Sequence, residues 1–158
     1  MNSKHAFVKA QSSFELLMTL SLGLAVLLPL VILAFIQIAS ANSTLSSIEA
    51  QQAASKLASS ATLVGSEGVP AKELVEIQVP PGVQYIYVGN INNGIGHEII
   101  FVIRAPTGQS YVTAYSPLNI SGNLGSLVSP GTYLVNVSAQ SSCPNNLPEP
   151  CVYLAPTV

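Results

Sequence analysis

The sequence has no aspartate and no tryptophan, and only 8% of its residues are charged, against about 25% in an average soluble domain. All seven acidic residues are glutamates. Without aspartate the usual calcium-loop ligands are missing, and so is half of the ordinary carboxylate chemistry. Five Lys and Arg residues and a formal charge of -2 leave no basic cluster to displace counterions from phosphates, so no nucleic-acid partner is expected. Internal repeats are absent too. The glycines of NISGNLGSLVSPG lack the following Lys-Ser/Thr and the strand-to-helix context of a phosphate loop. His97-Glu98 has no nucleophile, second histidine or acidic partner at a recognisable spacing, and reads as a polar pair leaving a turn. The chain is therefore not expected to be an enzyme, and no cofactor or metal is implied.

What it has instead is a long apolar run. Between Glu15 and Glu49 no side chain ionises, and Leu16 to Ala41 exceeds the roughly 20 apolar residues that cross a bilayer. Lys4, His5 and Lys9 precede the run, and the next cation is Lys56. The positive-inside bias keeps the N-terminus in the cytoplasm and sends the rest outside, single-pass. Ala39-Ser40-Ala41 has the small-residue form of a secretory cleavage site, which would release a domain starting at Asn42. The run is longer than the about 7–15 residues of a signal h-region, which argues against that release. Gly23 and Pro29 interrupt the run, and a bend near Ala25–Pro29 is expected.

Immediately before the run stands Lys9-Ala10-Gln11-Ser12-Ser13-Phe14-Glu15. This box resembles the cleavage site of archaeal class III signal peptides, carried by type IV pilin-like subunits. The resemblance covers the N-terminal third of the chain. It implies a cut at Ala10–Gln11 on the cytoplasmic side, removal of residues 1–10 as a leader, and retention of the apolar helix. Glu15 then becomes the fifth residue after the cut, where a glutamate is the family's hallmark. One departure is Ala10, where family leaders usually carry glycine. The implied partners are further copies in a helical filament, a prepilin peptidase of the class III type, an assembly ATPase, a membrane platform protein and the membrane. The implied location is the cytoplasmic membrane for the precursor and the cell surface for the mature filament, with a role in adhesion. An ionisable group at the edge of a membrane helix is costly and usually paired, so Glu15 is expected to pair with the new amine of a neighbouring subunit. The alternative is a membrane-anchored extracellular binding module that does not polymerise, for example one that binds sugars.

From Asn42 helical character continues with a thin, alanine-rich apolar stripe over Leu45, Ile48, Leu57, Ala61 and Val64. Gly65, Gly68 and Pro70 end it. The helical region spans residues 11–65, and one helix from about Ser13 to Val64 would be roughly 75 Å long. The pattern then changes to strands over residues 70–158. Val75, Ile77 and Val79 alternate, Pro80-Pro81-Gly82 turns, and VQYIYVG follows with mixed tyrosine and aliphatic faces. Asn93-Gly94 marks a turn. EIIFVIR (98–104) is apolar on both faces and reads as a central strand. Pro106-Thr107-Gly108 leads into QSYVTAYS, residues 119–131 read as a long loop, TYLVNVSA alternates, and CVYL (151–154) reads as a last edge strand. The fold class is α+β: a long N-terminal hydrophobic helix followed by a small antiparallel β-sheet or sandwich head.

Two further features fit an extracellular head. Cys143 and Cys151 flank a proline-rich loop and read as a disulfide. Asn42, Asn119 and Asn136 each begin an N-x-[ST] triplet, with Asn119 expected in a loop and Asn136 on the outward face of its strand.

Overall fold

The computed structural model describes residues 3–92, 94–105, 108–143 and 149–157, with side chains from Phe14 onward. The expected turn at Asn93, the turn at Pro106-Thr107 and most of the loop between the cysteines fall outside the described residues. The first element is one helix, α1, over Ser3–Glu67. Six strands follow: β1 Lys72–Val79, β2 Val83–Gly89, β3 Gly96–Ala105, β4 Gly108–Gly122, β5 Gly131–Gln140 and β6 Cys151–Pro156. They form one sheet in the order β1-β5-β6-β4-β3-β2. The α+β class expected from the apolar run and the alternating segments is the class observed.

The chain divides into two compact units, Met1–Ala41 and Asn42–Val158, and the division falls within α1. In the first unit every large apolar side chain from Phe14 to Ile38 is more than half exposed. A helix apolar on all sides has no polar face to turn to water, so it suits burial in an apolar environment such as lipid or a bundle of helices. Its hydroxyls add no burden: Thr19 Oγ1 donates to the Glu15 and Leu16 carbonyls and Ser21 Oγ to the Met18 carbonyl, each at 3.0 Å. Such back-bonding satisfies a polar side chain inside the helix itself. Pro29 lies within the helix without ending it.

In the second unit the latter part of α1 packs on one face of the sheet. Ala50, Ala53, Ala54, Leu57, Ala58, Ala61 and Val64 join the core. The small alanine side chains let the helix approach the sheet closely, while bulk comes from the strands. Phe101, Ile99 and Ile103 of β3, Ile86 and Val88 of β2, and Val135 and Val137 of β5 supply it. The helix stops where backbone chemistry demands. Gly68 takes φ +76°, its N–H returns to the Val64 carbonyl at 3.2 Å, and Pro70 follows. That is a left-handed glycine cap, and only glycine adopts it without cost.

The sheet is built from two three-stranded antiparallel leaves, β1-β5-β6 and β4-β3-β2. A parallel ladder of only three residue pairs, Ile120–Gly122 against Val152–Leu154, joins them. Both leaves meet α1. Lys56 Nζ donates to the Glu76 carbonyl of β1 at 2.6 Å, and Gln51 Nε2 reaches the Thr113 carbonyl of β4 at 3.4 Å.

Three expectations are corrected here. CVYL is an interior strand rather than an edge: β6 lies between β5 and β4, and the outer strands are β1 and β2. Residues 119–122 belong to β4 rather than to a loop; the strand continues past Pro117 because the register shifts between Gly96/Ile120 and Glu98/Tyr115. A bulge of this kind takes up extra residues while pairing goes on. The sheet is also not purely antiparallel, since the leaves meet in parallel.

Candidate functional site

Most residues singled out by sequence lie in separate parts of the chain, but His97, Asn119 and Cys151 line one cavity. Ala10 and Gln11 fall within α1, and nothing is described of their side chains. Glu15 is exposed, one position before the long apolar series that starts at Leu16. By length and composition, this part of α1 is apolar enough to cross a membrane. Residues Lys9–Glu15 and the apolar segment thus share one continuous helix.

Cys143 and Cys151 form a disulfide, with Cα atoms 5.8 Å apart and a sequence separation of 8. Both are buried. Cys151 opens β6, and Gln140, three residues before Cys143, is its partner on β5. The bridge therefore closes the connection between two neighbouring strands at the end where their pairing begins.

The three sequons differ in environment. Asn42 is exposed on α1. Asn119, expected in a loop, is half-buried in β4, and the hydroxyl-bearing Ser121 of its triplet is only 2% exposed. Asn119 lines a cavity of about 390 Å³ beside the disulfide, together with His97, Leu118 and Val152. Asn136 lies on the face of β5 opposite the core residues Val135 and Val137, half-buried, and Ser138 of its triplet donates to the Tyr153 carbonyl at 3.4 Å. His97 stands at the start of β3, where its Nδ1 lies 3.1 Å from the Leu118 carbonyl oxygen.

One feature was not singled out by sequence. The sheet face turned away from α1 carries a groove of about 270 Å³ on β2, β3 and β4. Register builds it. Tyr85 pairs across Val102 to Tyr111, and Tyr87 across Ile100 to Thr113. Ile100 and Val102 form its floor, and both are buried although they face away from the core cluster. The rings of Tyr85 and Tyr87 stack at 5.9 Å and 20°. Tyr85 is 55% exposed and Tyr111 62%. At one end a hydrogen-bond chain runs from the Tyr111 hydroxyl to Gln109 Oε1 at 3.1 Å, then from Gln109 Nε2 to Gln84 Oε1 at 2.9 Å. At the other end Ile91 projects from the turn between β2 and β3. The Asn90 carboxamide oxygen holds this turn by accepting from the Asn92 and Gly94 N–H groups, each at 2.9 Å. The only sequence signal was the tyrosine alternation in VQYIYVG and QSYVTAYS; the pairing register that places these residues side by side cannot be read from either segment alone.

The chain matches no protein-family model, no curated protein and no solved structure.

Proposed function

We propose that this chain is the precursor of a structural subunit of an archaeal type IV pilus-like surface filament, with a role in attachment. The observation that carries the reading is the box Lys9–Glu15 set directly against an apolar segment, on a helix that continues into the core of a β head. A peptidase of the prepilin class would remove residues 1–10, and the mature subunit would wait in the cytoplasmic membrane with its head outside. Assembly would move the apolar helix from lipid into a bundle of like helices. Lipid tails are as apolar as leucine, so packing shape and the pairing of Glu15 would set the register more than bulk hydrophobicity. An assembly ATPase and a membrane platform protein would drive the step.

N-terminal sequencing of the surface form tests the first half of this reading. Gln11 is the expected first residue, and Ala10→Asp is expected to leave the leader in place. A start at Asn42 would overturn the reading. The second half is tested by electron microscopy: filaments are expected on cells, and Glu15→Ala is expected to abolish them while the protein still reaches the membrane. The second reading, an anchored binding module that does not polymerise, draws support from the tyrosine groove. An intact leader and no filaments would favour it over the filament reading.

A further inference from the structure

We infer that the groove on β2, β3 and β4 is a saccharide-binding site that takes an uncharged sugar ring or short oligosaccharide. The inference rests on the head lying outside the cell, which both readings above share, and does not require polymerisation.

The argument starts from what the groove is made of. Its lining consists of Tyr85, Tyr87, Tyr111, Ile91, Ile100, Val102, Gln109 and Thr113, so it carries no charge. The charged side chains on the same face of β3, Glu98 and Arg104, lie beyond either end of the Ile100–Val102 floor. Arg104 pairs with Gln109 at one end and Glu98 lies past the other, so a charged ligand seated on the floor would be desolvated with at most one rim charge to offset it, which is costly. The electrostatic complement is therefore a neutral molecule. A purely apolar ligand would leave unmet the hydrogen-bonding capacity that remains to the rim beyond the Tyr111–Gln109–Gln84 chain, which also carries a penalty. A pyranose ring avoids both losses. Its C–H face packs on an aromatic plane, and its equatorial hydroxyls exchange hydrogen bonds with amide and phenol groups that both donate and accept.

The geometry suits such a ligand. Tyrosine combines a large apolar body with a polar tip, and its two side-chain torsions make it inexpensive to hold in place. Here strand pairing fixes the spacing, ring stacking braces Tyr85 against Tyr87, and the amide chain braces Tyr111. The site is therefore largely pre-formed. Its volume of about 270 Å³ falls just below the roughly 300–1,000 Å³ of pockets for drug-sized ligands, which suits one or two sugar rings. The core faces the other side of these strands, so groove residues can be changed without opening it. Ile86, Phe101 and Val112 fill that inner side.

The test uses the full chain in lipid nanodiscs. Maltotriose, cellotriose, chitotriose and mannotriose serve as neutral probes and trigalacturonate as the acidic control, with binding read by calorimetry and by saturation transfer from the tyrosine rings. At least one neutral probe is expected to bind, and trigalacturonate to bind at least about tenfold more weakly. Tyr85→Ala and Tyr111→Ala should each weaken binding by about tenfold or more while the circular dichroism melt is unchanged. Tyr111→Phe keeps the ring and should lose only a few-fold. Binding that survives both alanine variants would overturn the assignment. So would equal binding of trigalacturonate, or no binding by any neutral probe. Loss of self-association in Tyr85→Ala, measured by ultracentrifugation, would also overturn it by showing that a second copy covers the groove. If the probes fail but the mature chain begins at Gln11 and polymerises, the filament reading stands and only the sugar site falls.

Discussion

At the scale of single residues the head depends on a few large side chains set among many small ones. The helix contributes mostly alanine to the core, so closeness comes from α1 and volume from the sheet. Phe101 is fully buried and is the largest side chain in that core. Truncating such a residue costs the lost transfer energy and leaves a cavity, together about 3–5 kcal/mol for Phe→Ala. Phe101→Ala is expected to lose stability in that range, measured by urea unfolding of the full chain in detergent. Ile100 is also buried but lies on the groove floor. Its truncation should cost less, because the groove is open and water can enter the space left behind. The double apolar character of EIIFVIR was legible in the sequence. That one of its faces meets the core and the other a row of tyrosines was not, because both faces read as apolar and only register distinguishes them.

At the scale of elements the most exacting piece is β6. It pairs with β5 over six residue pairs and with β4 over three, so it carries the join between the leaves. In sequence it is a short apolar segment after a proline-rich stretch, which reads as an edge. Its interior position depends on which strands come to lie beside it, and CVYL does not encode that. The helix and β1 were easier to read: their hydrophobic periods are local, and the Gly68–Pro70 stop signals sit beside them. The box Lys9–Glu15 stands out for the same reason, being contiguous, whereas the tyrosine groove draws on three strands. The disulfide anchors the start of β6. Closing a loop with a sequence separation of 8 is worth about 2–3 kcal/mol on the chain-entropy model. Cys143→Ser/Cys151→Ser is therefore expected to lower the stability of the head by about that amount, read from denaturant midpoints under oxidising conditions. The wild-type chain in dithiothreitol should reproduce the loss.

At the scale of the whole molecule the chain separates two solvation problems. Residues 14–41 present apolar side chains on every side, while Asn42–Val158 buries its own core. A unit with its own core and few unmet apolar demands meets the physical criterion for independent folding. A fragment of residues 42–158 is expected to be soluble and to unfold cooperatively, with a melting temperature within a few degrees of the head in the detergent-solubilised full chain. Calorimetry on both preparations checks this, and a fragment that lacks a cooperative transition would show that the head needs the apolar segment to fold. The change in composition after Ala41 was legible, because charge and polarity return there. The continuation of α1 into the core was legible only as a thin alanine stripe.

The brevity of the ladder between the leaves has one more consequence. Because β4 meets β6 only at Ile120–Gly122, the main chain of residues 109–115 has ladder partners on the β3 side alone among the described residues. An unpaired strand edge is a template for aggregation, and proteins usually defend it with charge, proline or a cover. This edge has no charged residue between Gln109 and Tyr115. What stands beside it is the polar flank of α1, with Gln51, Ser55, Ser59 and Thr62 next to Thr113 and Tyr115. The helix that supports the core therefore also acts as a guard rail, keeping neighbouring chains from zipping together through their backbones.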